Sequence, residues 1–396
     1  MSRNVVIVDG LRTPFDKFGG PMRAETTVQM GAFVVKNLME RAGVKPEDVE
    51  ETYIGINMPT ANRSIARQIC LNAGMPVEAN ATTVDRACCS SMVAIAMAMR
   101  AIQLGDADVT IGGGSENMSN VPYFVEDMRW GKRMGDVVLK DIMVVSCPYT
   151  HEARAKQAGE VGLQYGVTRE IQDEWACLSQ KRYDAALKAG KFDHEIIPYT
   201  VPQKKGDPLV ITRDQAPRPD TTMETLAKLK TVNGSPTVTA GNAPGLNTGA
   251  AAVILMSEEE AKRRGVKPLA TIISHAQASG HPKYIASIPA DGARKALKKA
   301  GMTIDQMDLI EINEAFAVMP LVSTLLLGDK DPAKVEALRA KTNINGGAIA
   351  IGHPTGATGA RLVMTAAYEL QRRGGGYALV TICGGVGESE CFILTA

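Results

Sequence analysis

Ala42-Gly43-Val44-Lys45-Pro46-Glu47-Asp48, running on to Ile54, has a likeness far downstream in Ala300-Gly301-Met302-Thr303-Ile304-Asp305-Gln306, running on to Ile312. Each copy is the end of a helix-period segment, a glycine, a short polar turn and an apolar strand. A second pair follows in the same order. The segment from Cys88 to Val109 with Gly112-Gly113-Gly114 resembles the segment from Gly359 to Ala378 with Gly384-Gly385. A duplicated supersecondary unit constrains the architecture of the whole chain, so it is weighed before any single motif. In both halves short apolar β-branched runs, such as Val109-Thr110-Ile111 and Ala378-Leu379-Val380-Thr381-Ile382, alternate with longer helix-period segments. That alternation predicts an α/β fold with buried strands, the glycines after each run forming turns.

Residues 121–244 have no counterpart in the repeat and are read as an insertion. Within it, Pro202 to Pro219 holds four prolines among several charges and is expected to be surface loop. The resulting division is an N-terminal half over 1–120, an inserted domain over 121–244, a return to the first half over 245–267, and a C-terminal half over 268–396.

With 396 residues the chain can bury a large core. Lys and Arg number 44 against 43 Asp and Glu, a net charge of +1, which provides no overall field for nucleic acid or a membrane surface. The seven cysteines are odd in number and two are adjacent, unlike a secreted disulfide framework. Met1-Ser2-Arg3-Asn4 runs straight into Val5-Val6-Ile7-Val8, and no apolar run long enough to span a bilayer is evident. A cytoplasmic protein is expected.

Four segments carry chemical potential. In Val84-Asp85-Arg86-Ala87-Cys88-Cys89-Ser90-Ser91-Met92, a cysteine stands where an apolar helix begins, and free N–H groups there favour a thiolate. Equally, both cysteines are small enough to be core residues. Asn345-Gly346-Gly347-Ala348-Ile349-Ala350-Ile351-Gly352-His353-Pro354-Thr355-Gly356 is glycine-dense and carries one of only five histidines, which suits a backbone that approaches a ligand. Ile382-Cys383-Gly384-Gly385-Val386-Gly387 ends a buried strand in an anion-holding turn, without the glycine spacing of a dinucleotide fingerprint. Glu311-Ile312-Asn313-Glu314-Ala315-Phe316 closes an apolar strand and, taken alone, reads as a helix cap.

Together with Gly10-Leu11-Arg12-Thr13-Pro14-Phe15, Gly113-Gly114-Ser115-Glu116-Asn117-Met118-Ser119, Trp130-Gly131-Lys132-Arg133-Met134-Gly135 and Thr239-Ala240-Gly241-Asn242-Ala243, these segments resemble the thiolase family over nearly the whole chain. The resemblance implies a five-layer αβαβα fold and reversible transfer of an acyl group between 3-ketoacyl-CoA and coenzyme A. It implies Cys88 as the acylated nucleophile, with Cys89 as the alternative one register away. By the same resemblance His353 activates the nucleophile, Cys383 is the acid/base, Asn313 holds a water, and Gly385 supplies an oxyanion N–H. Arg218, Ala243, Leu246 and Phe316 match positions along coenzyme A, which with acyl-CoA enters as substrate. No permanently bound cofactor and no metal is implied. Partners are further copies of the chain, as a homodimer or homotetramer.

The match has departures. Cys89 replaces the usual alanine, Ser91 a common glycine, Pro244 a serine that contacts coenzyme A, and Asn233 stands where an aromatic residue often flanks the adenine. Glu152-Ala153-Arg154-Ala155-Lys156-Gln157-Ala158-Gly159 replaces the stretch that narrows the acyl pocket in the family. Ala153, Ala155 and Ala158 are therefore expected to leave room for a longer or branched acyl chain, unless the segment around Cys147-Pro148-Tyr149 folds in. Two other readings remain: a decarboxylating ketoacyl synthase, which lacks the second cysteine, and a non-catalytic acyl-CoA-binding subunit.

Overall fold

The computed structural model describes residues 3–58, 60–144 and 146–396, so Met1 and Ser2 of the N-terminal reading lie outside the described residues. The first half contains β1 (Val5–Arg12), α1 (Thr27–Ala42), β2 (Glu51–Gly55), α2 (Ile65–Asn72), β3 (Asn80–Val84), α3 (Ser90–Leu104) and β4 (Val109–Asn117). The insertion adds α4 (Arg154–Gln164) and α5 (Arg169–Lys188), after which β5 (Asn247–Ser257) returns to the first half. The second half contains β6 (Ala270–Ser279), α6 (Ile288–Ala300), β7 (Leu309–Ile312), α7 (Val318–Leu327), α8 (Thr355–Arg373), β8 (Tyr377–Gly384) and β9 (Glu388–Thr395).

The repeat seen in the sequence is a repeat of structure. Both α1 and α6 end at a left-handed glycine, Gly43 at φ 65° and Gly301 at φ 67°, a conformation other residues adopt only at a cost. Each then makes one 3-10 turn, Pro46–Asp48 or Ile304–Gln306, before its strand. The strand order is β7-β8-β9-β6-β1-β5-β4-β2-β3. Pairing is parallel for β2–β4 and β7–β8, and antiparallel for β4–β5 and β8–β9, then again for β5–β1 and β9–β6. Opposite β3 the second half has, among the described residues, only an isolated bridge between Ile310 and Thr342. The two half-sheets meet at a narrow seam, Val6 against Thr271 and Ile7 against Ala270.

Helices α1 and α2 cover one outer face and α6 and α7 the other, while α3 and α8 touch strands of both halves. This is the expected αβαβα arrangement. Its central layer joins Met92, Ile95 and Met99 of α3 to Leu362, Val363 and Met364 of α8, between Val253 and Leu255 on one sheet and Val380 and Ile382 on the other. Burying each such side chain stabilises the fold by roughly 1.5–3 kcal/mol.

Three expectations need correction. Gly112, Gly113 and Gly114 form no turn but lie inside β4, fully buried. A Cβ on Gly112 would stand 2.7 Å from the Ile95 Cα, one on Gly113 would stand 2.6 Å from the Ala251 oxygen, and one on Gly114 would enter the Gly356 carbonyl. The glycines thus admit both central helices and the neighbouring strand. The proline-rich tract is more than surface loop: Leu209–Ile211 pairs with Tyr199–Val201, and buried Asp214 accepts from Arg12 Nη1 at 2.6 Å and Nη2 at 3.0 Å. Finally, Ala87–Leu104 is long and apolar enough to cross a bilayer, yet it is the central helix α3 with its approach turn, packed between the sheets.

Candidate active site

The turn between β3 and α3 holds Cys88. Ala87 there has φ 49°, a rare value for a residue with a Cβ, and the strain is held by hydrogen bonds on either side. The Arg86 N–H donates to Ser90 Oγ at 2.8 Å, and that hydroxyl donates to the Ala87 carbonyl at 2.6 Å. Helix α3 begins only at Ser90, so Cys88 precedes it; Cys89 is fully buried and Cys88 partly open. Burial pushes the Cys88 thiol up to about 12, with Glu116 adding to the rise and Arg154 opposing it. Burial thus opposes the thiolate that the approach to α3 was expected to favour.

Cys383 closes β8 at the hairpin to β9, where it pairs with Ser389 and Gly384 pairs with Glu388. Burial and the proximity of Cys88 both push its thiol above the ordinary range. Arg86 ties the two cysteine turns together, its Nε donating to Glu388 at 3.2 Å and its Nη1 to buried Glu390 at 2.5 Å. Glu390 also meets His275 Nε2 at 2.5 Å. The turn that holds Cys88 in one half is thereby clamped to the hairpin that holds Cys383 in the other.

His353 lies between the short helix Ala348–Ile351 and α8. Its N–H donates to Asn247 Oδ1 at 2.8 Å, and preceding Gly352, at φ 110°, leaves room for that Asn247 side chain. The ring Nδ1 lies 2.8 Å from Thr358 Oγ1, whose own proton goes to the Pro354 carbonyl at 2.9 Å. These contacts are satisfied when the ring donates through Nδ1 to Thr358 and presents the Nε2 lone pair to Asn313. Burial, with a contribution from Arg361, lowers the His353 pKa to about 3.

Asn313 faces this ring, Nδ2 at 3.4 Å from Nε2, while its buried Oδ1 has no hydrogen-bond partner. The helix-cap reading of its segment is corrected, since α7 starts at Val318 with Ala317 as its cap. Glu314 instead locks the insertion to the second half, accepting from Trp175 Nε1 at 2.9 Å, Ser179 Oγ at 2.8 Å and the Ile349 N–H at 3.1 Å.

Sequence reasoning named no role for Glu116, although it quoted the segment that contains it. This carboxylate accepts from the N–H of Asn57 and Gly356, both at 3.0 Å, and from Thr355 Oγ1 at 2.9 Å. It binds the first half to the start of the helix that follows His353. Burial pushes it up to about 7 against those hydrogen bonds.

Three of the four candidate coenzyme A residues share a site. Arg218, Ala243 and Leu246 line a cavity of about 780 Å³ with Lys17, Phe18 and Asn247, the last being the partner of His353. Pro244 lies on the same wall. Phe316 does not line it, packing instead in the cluster that contains Cys383. Asn233 sits in a turn at φ 50°.

The altered stretch is packed into the fold. Ala155 and Ala158 are buried in the cluster of Val161, Trp175 and Cys383. Cys147 folds in and is fully buried, and Arg154 extends towards Gly385. Burial raises the Cys147 pKa, but hydrogen bonds from Thr150 and Arg154 outweigh it and bring the thiol to about 6.

Comparison with known proteins agrees with this arrangement. Residues 5–259 match the family model described as Thiolase, N-terminal domain, and residues 266–396 match Thiolase, C-terminal domain. The chain is 43% identical over 391 residues to an acetyl-CoA acetyltransferase of Cupriavidus necator, covering 97% of this chain and 98% of that one. It is 42% identical over 409 residues to a beta-ketoadipyl-CoA thiolase of Acinetobacter baylyi, covering 99% of each. Among solved structures, acetyl-CoA acetyltransferase of Bacillus anthracis superposes with TM-score 0.95 at 37% identity, and human mitochondrial 3-ketoacyl-CoA thiolase with TM-score 0.94 at 36%. Each superposition covers 100% of this chain and 99% of the other.

Proposed function

The chain belongs to the thiolase family and is an acyltransferase of reversible thiolytic acyl transfer, and we propose that Cys88, His353, Cys383 and Asn313 carry its reaction. The observation that carries this assignment is the buried His353 ring, held at Nδ1 by Thr358 and facing Asn313 through Nε2. In the cleavage direction Nε2 takes the Cys88 proton, and the sulfur attacks the 3-keto carbon. The bond between the second and third carbons breaks. Cys383 protonates the released carbon to give acetyl-CoA, which suits a thiol kept protonated by burial. The Cys383 thiolate then deprotonates incoming coenzyme A, whose sulfur takes the acyl group from Cys88.

The N–H groups of Cys88 and Gly385 hold the first oxyanion. A water held on Asn313, with His353, faces the enolate; the buried, unpartnered Oδ1 supports this role. Coenzyme A occupies the cavity of Lys17, Arg218, Ala243 and Leu246, with Phe316 nearer the reacting end. The second cysteine, Cys383, speaks against a decarboxylating synthase, and the presence of Cys88, His353, Cys383 and Asn313 together speaks against a non-catalytic subunit.

A homodimer or homotetramer is the proposed assembly, supported by the apolar arm of the insertion, where Trp130 is 89% and Met134 82% exposed. A cytoplasmic setting is supported by seven unpaired cysteines. Incubation with acetoacetyl-CoA followed by peptide mapping tests the assignment: an acetyl adduct on Cys88 is expected, and its absence with turnover intact would overturn it. Light scattering at micromolar concentration tests the assembly.

A further inference from the structure

Arg154 opens α4 and is only partly buried, yet it points inward. A Cβ built on Gly385 would stand 3.4 Å from its Nε and 3.8 Å from its Nη2, so the guanidinium lies against the turn that follows Cys383. Its fork is oriented from behind. Nη1 donates to Gln157 Oε1 at 3.3 Å, and Gln157 Nε2 donates to Thr150 Oγ1 at 2.5 Å. Other partly or fully buried arginines have a carboxylate or backbone carbonyls to donate to: Arg12 pairs with Asp214, Arg86 with Glu388 and Glu390, Arg169 with Asp173 and Arg264 with Asp48, while Arg67, Arg182 and Arg339 donate to backbone carbonyls. Among the described residues, Arg154 has no carboxylate within salt-bridge reach, and Cys147 is its acidic neighbour.

We propose that Arg154 makes the site select 3-oxoacyl-CoA substrates whose acyl chain carries a carboxylate, held by the guanidinium beside Gly385. This rests on the assignment of Cys88 and Cys383 as the reacting pair. A planar guanidinium matches a carboxylate through two parallel hydrogen bonds, which an ammonium cannot reproduce. An uncharged alkyl chain would desolvate Arg154 with only Cys147 and Gln157 to offset the cost, whereas a carboxylated chain adds a bidentate partner of its own. Because Arg154 faces the turn at the reacting cysteines, the carboxylate belongs to a short acyl chain. A purely electrostatic effect on the oxyanion would instead favour all substrates alike.

The test compares thiolysis of 3-oxoadipyl-CoA with that of 3-oxohexanoyl-CoA, equal in length and differing in the terminal carboxylate. In the wild-type enzyme kcat/KM should favour the carboxylated substrate at least tenfold. Arg154→Met should bring the ratio to about one or below, and Arg154→Lys should retain part of it. A wild-type ratio at or below one overturns the proposal, as does an Arg154→Met variant that slows both substrates equally. The wild-type ratio alone decides if Arg154→Met does not fold. Absence of turnover on both substrates, with no adduct on Cys88, overturns the catalytic assignment itself and this proposal with it.

Discussion

Thr358 Oγ1 stands 2.8 Å from His353 Nδ1 and 2.9 Å from the Pro354 carbonyl, so a hydroxyl that donates to the carbonyl takes the imidazole proton from Nδ1. One turn of helix thus sets which nitrogen is basic. Thr358→Val removes the acceptor and frees the ring, so kcat should fall by roughly 10–100-fold with little change in KM. Thr358→Ser, which keeps the hydroxyl, should restore most of it. Steady-state kinetics of the three proteins checks this.

The adjacent thiols should separate cleanly. Cys88→Ala removes the proposed nucleophile and should abolish acyl-enzyme formation by intact-protein mass spectrometry. Cys89 is fully buried and packs near the Ile382 carbonyl, its Sγ at 3.8 Å. Cys89→Ala should therefore cost about 1 kcal/mol of stability and leave the adduct in place. An adduct lost in Cys89→Ala and kept in Cys88→Ala would move the nucleophile by one residue.

Burial holds the His353 pKa at about 3 against an ordinary 6.5. Below pH 6.5 the unfolded chain binds a proton that the folded site refuses, so this residue's contribution to stability falls as pH drops and is intact above 6.5. Glu116, raised to about 7, acts in the opposite sense, losing stability as pH rises from the ordinary carboxylate range through 7. The comparison must therefore be made against His353→Asn. Between pH 7 and pH 5 the wild type should lose about 2 kcal/mol relative to that variant, read as a steeper fall in Tm.

Gly114 is a site where one methyl group disturbs both halves. The added Cβ of Gly114→Ala would enter the carbonyl of Gly356, a backbone atom of the helix start that follows His353. Backbone cannot rotate aside as a side chain does, so stability should fall by about 3 kcal/mol or more. Activity should fall with it. Thermal melting together with kcat/KM on acetoacetyl-CoA measures both.

The duplicated architecture was legible because helix ends write themselves into sequence: Gly43 and Gly301 are required by a left-handed φ, and the strands after them are apolar. The residues proposed to react, Cys88, His353, Cys383 and Asn313, were legible as candidates through family-like motifs. The glycines of β4 were misread because a glycine run has two physical causes, a turn and a close approach, and only the positions of α3 and α8 distinguish them. Glu116 was missed as a positioning residue because its partners, Asn57 and Gly356, are remote in sequence. Arg154 departed visibly from the family pattern, but its direction depends on how the 147–154 turn folds in, which no local periodicity encodes.

The interrupted path of the first half has a consequence for synthesis on the ribosome. β5 lies between β1 and β4, yet it emerges only after the whole insertion has been made. Until then β1 and β4 lack the strand that joins them, and the apolar α3 waits still longer, for β6 to β9, to gain its second sheet. Such edges and surfaces invite pairing with other nascent chains, and sequence-distant closure slows folding. Arrival of residues 247–257 is therefore the committing event of the nascent chain. Slower translation across the insertion would prolong the exposed interval, and early shielding by a chaperone would shorten its reach.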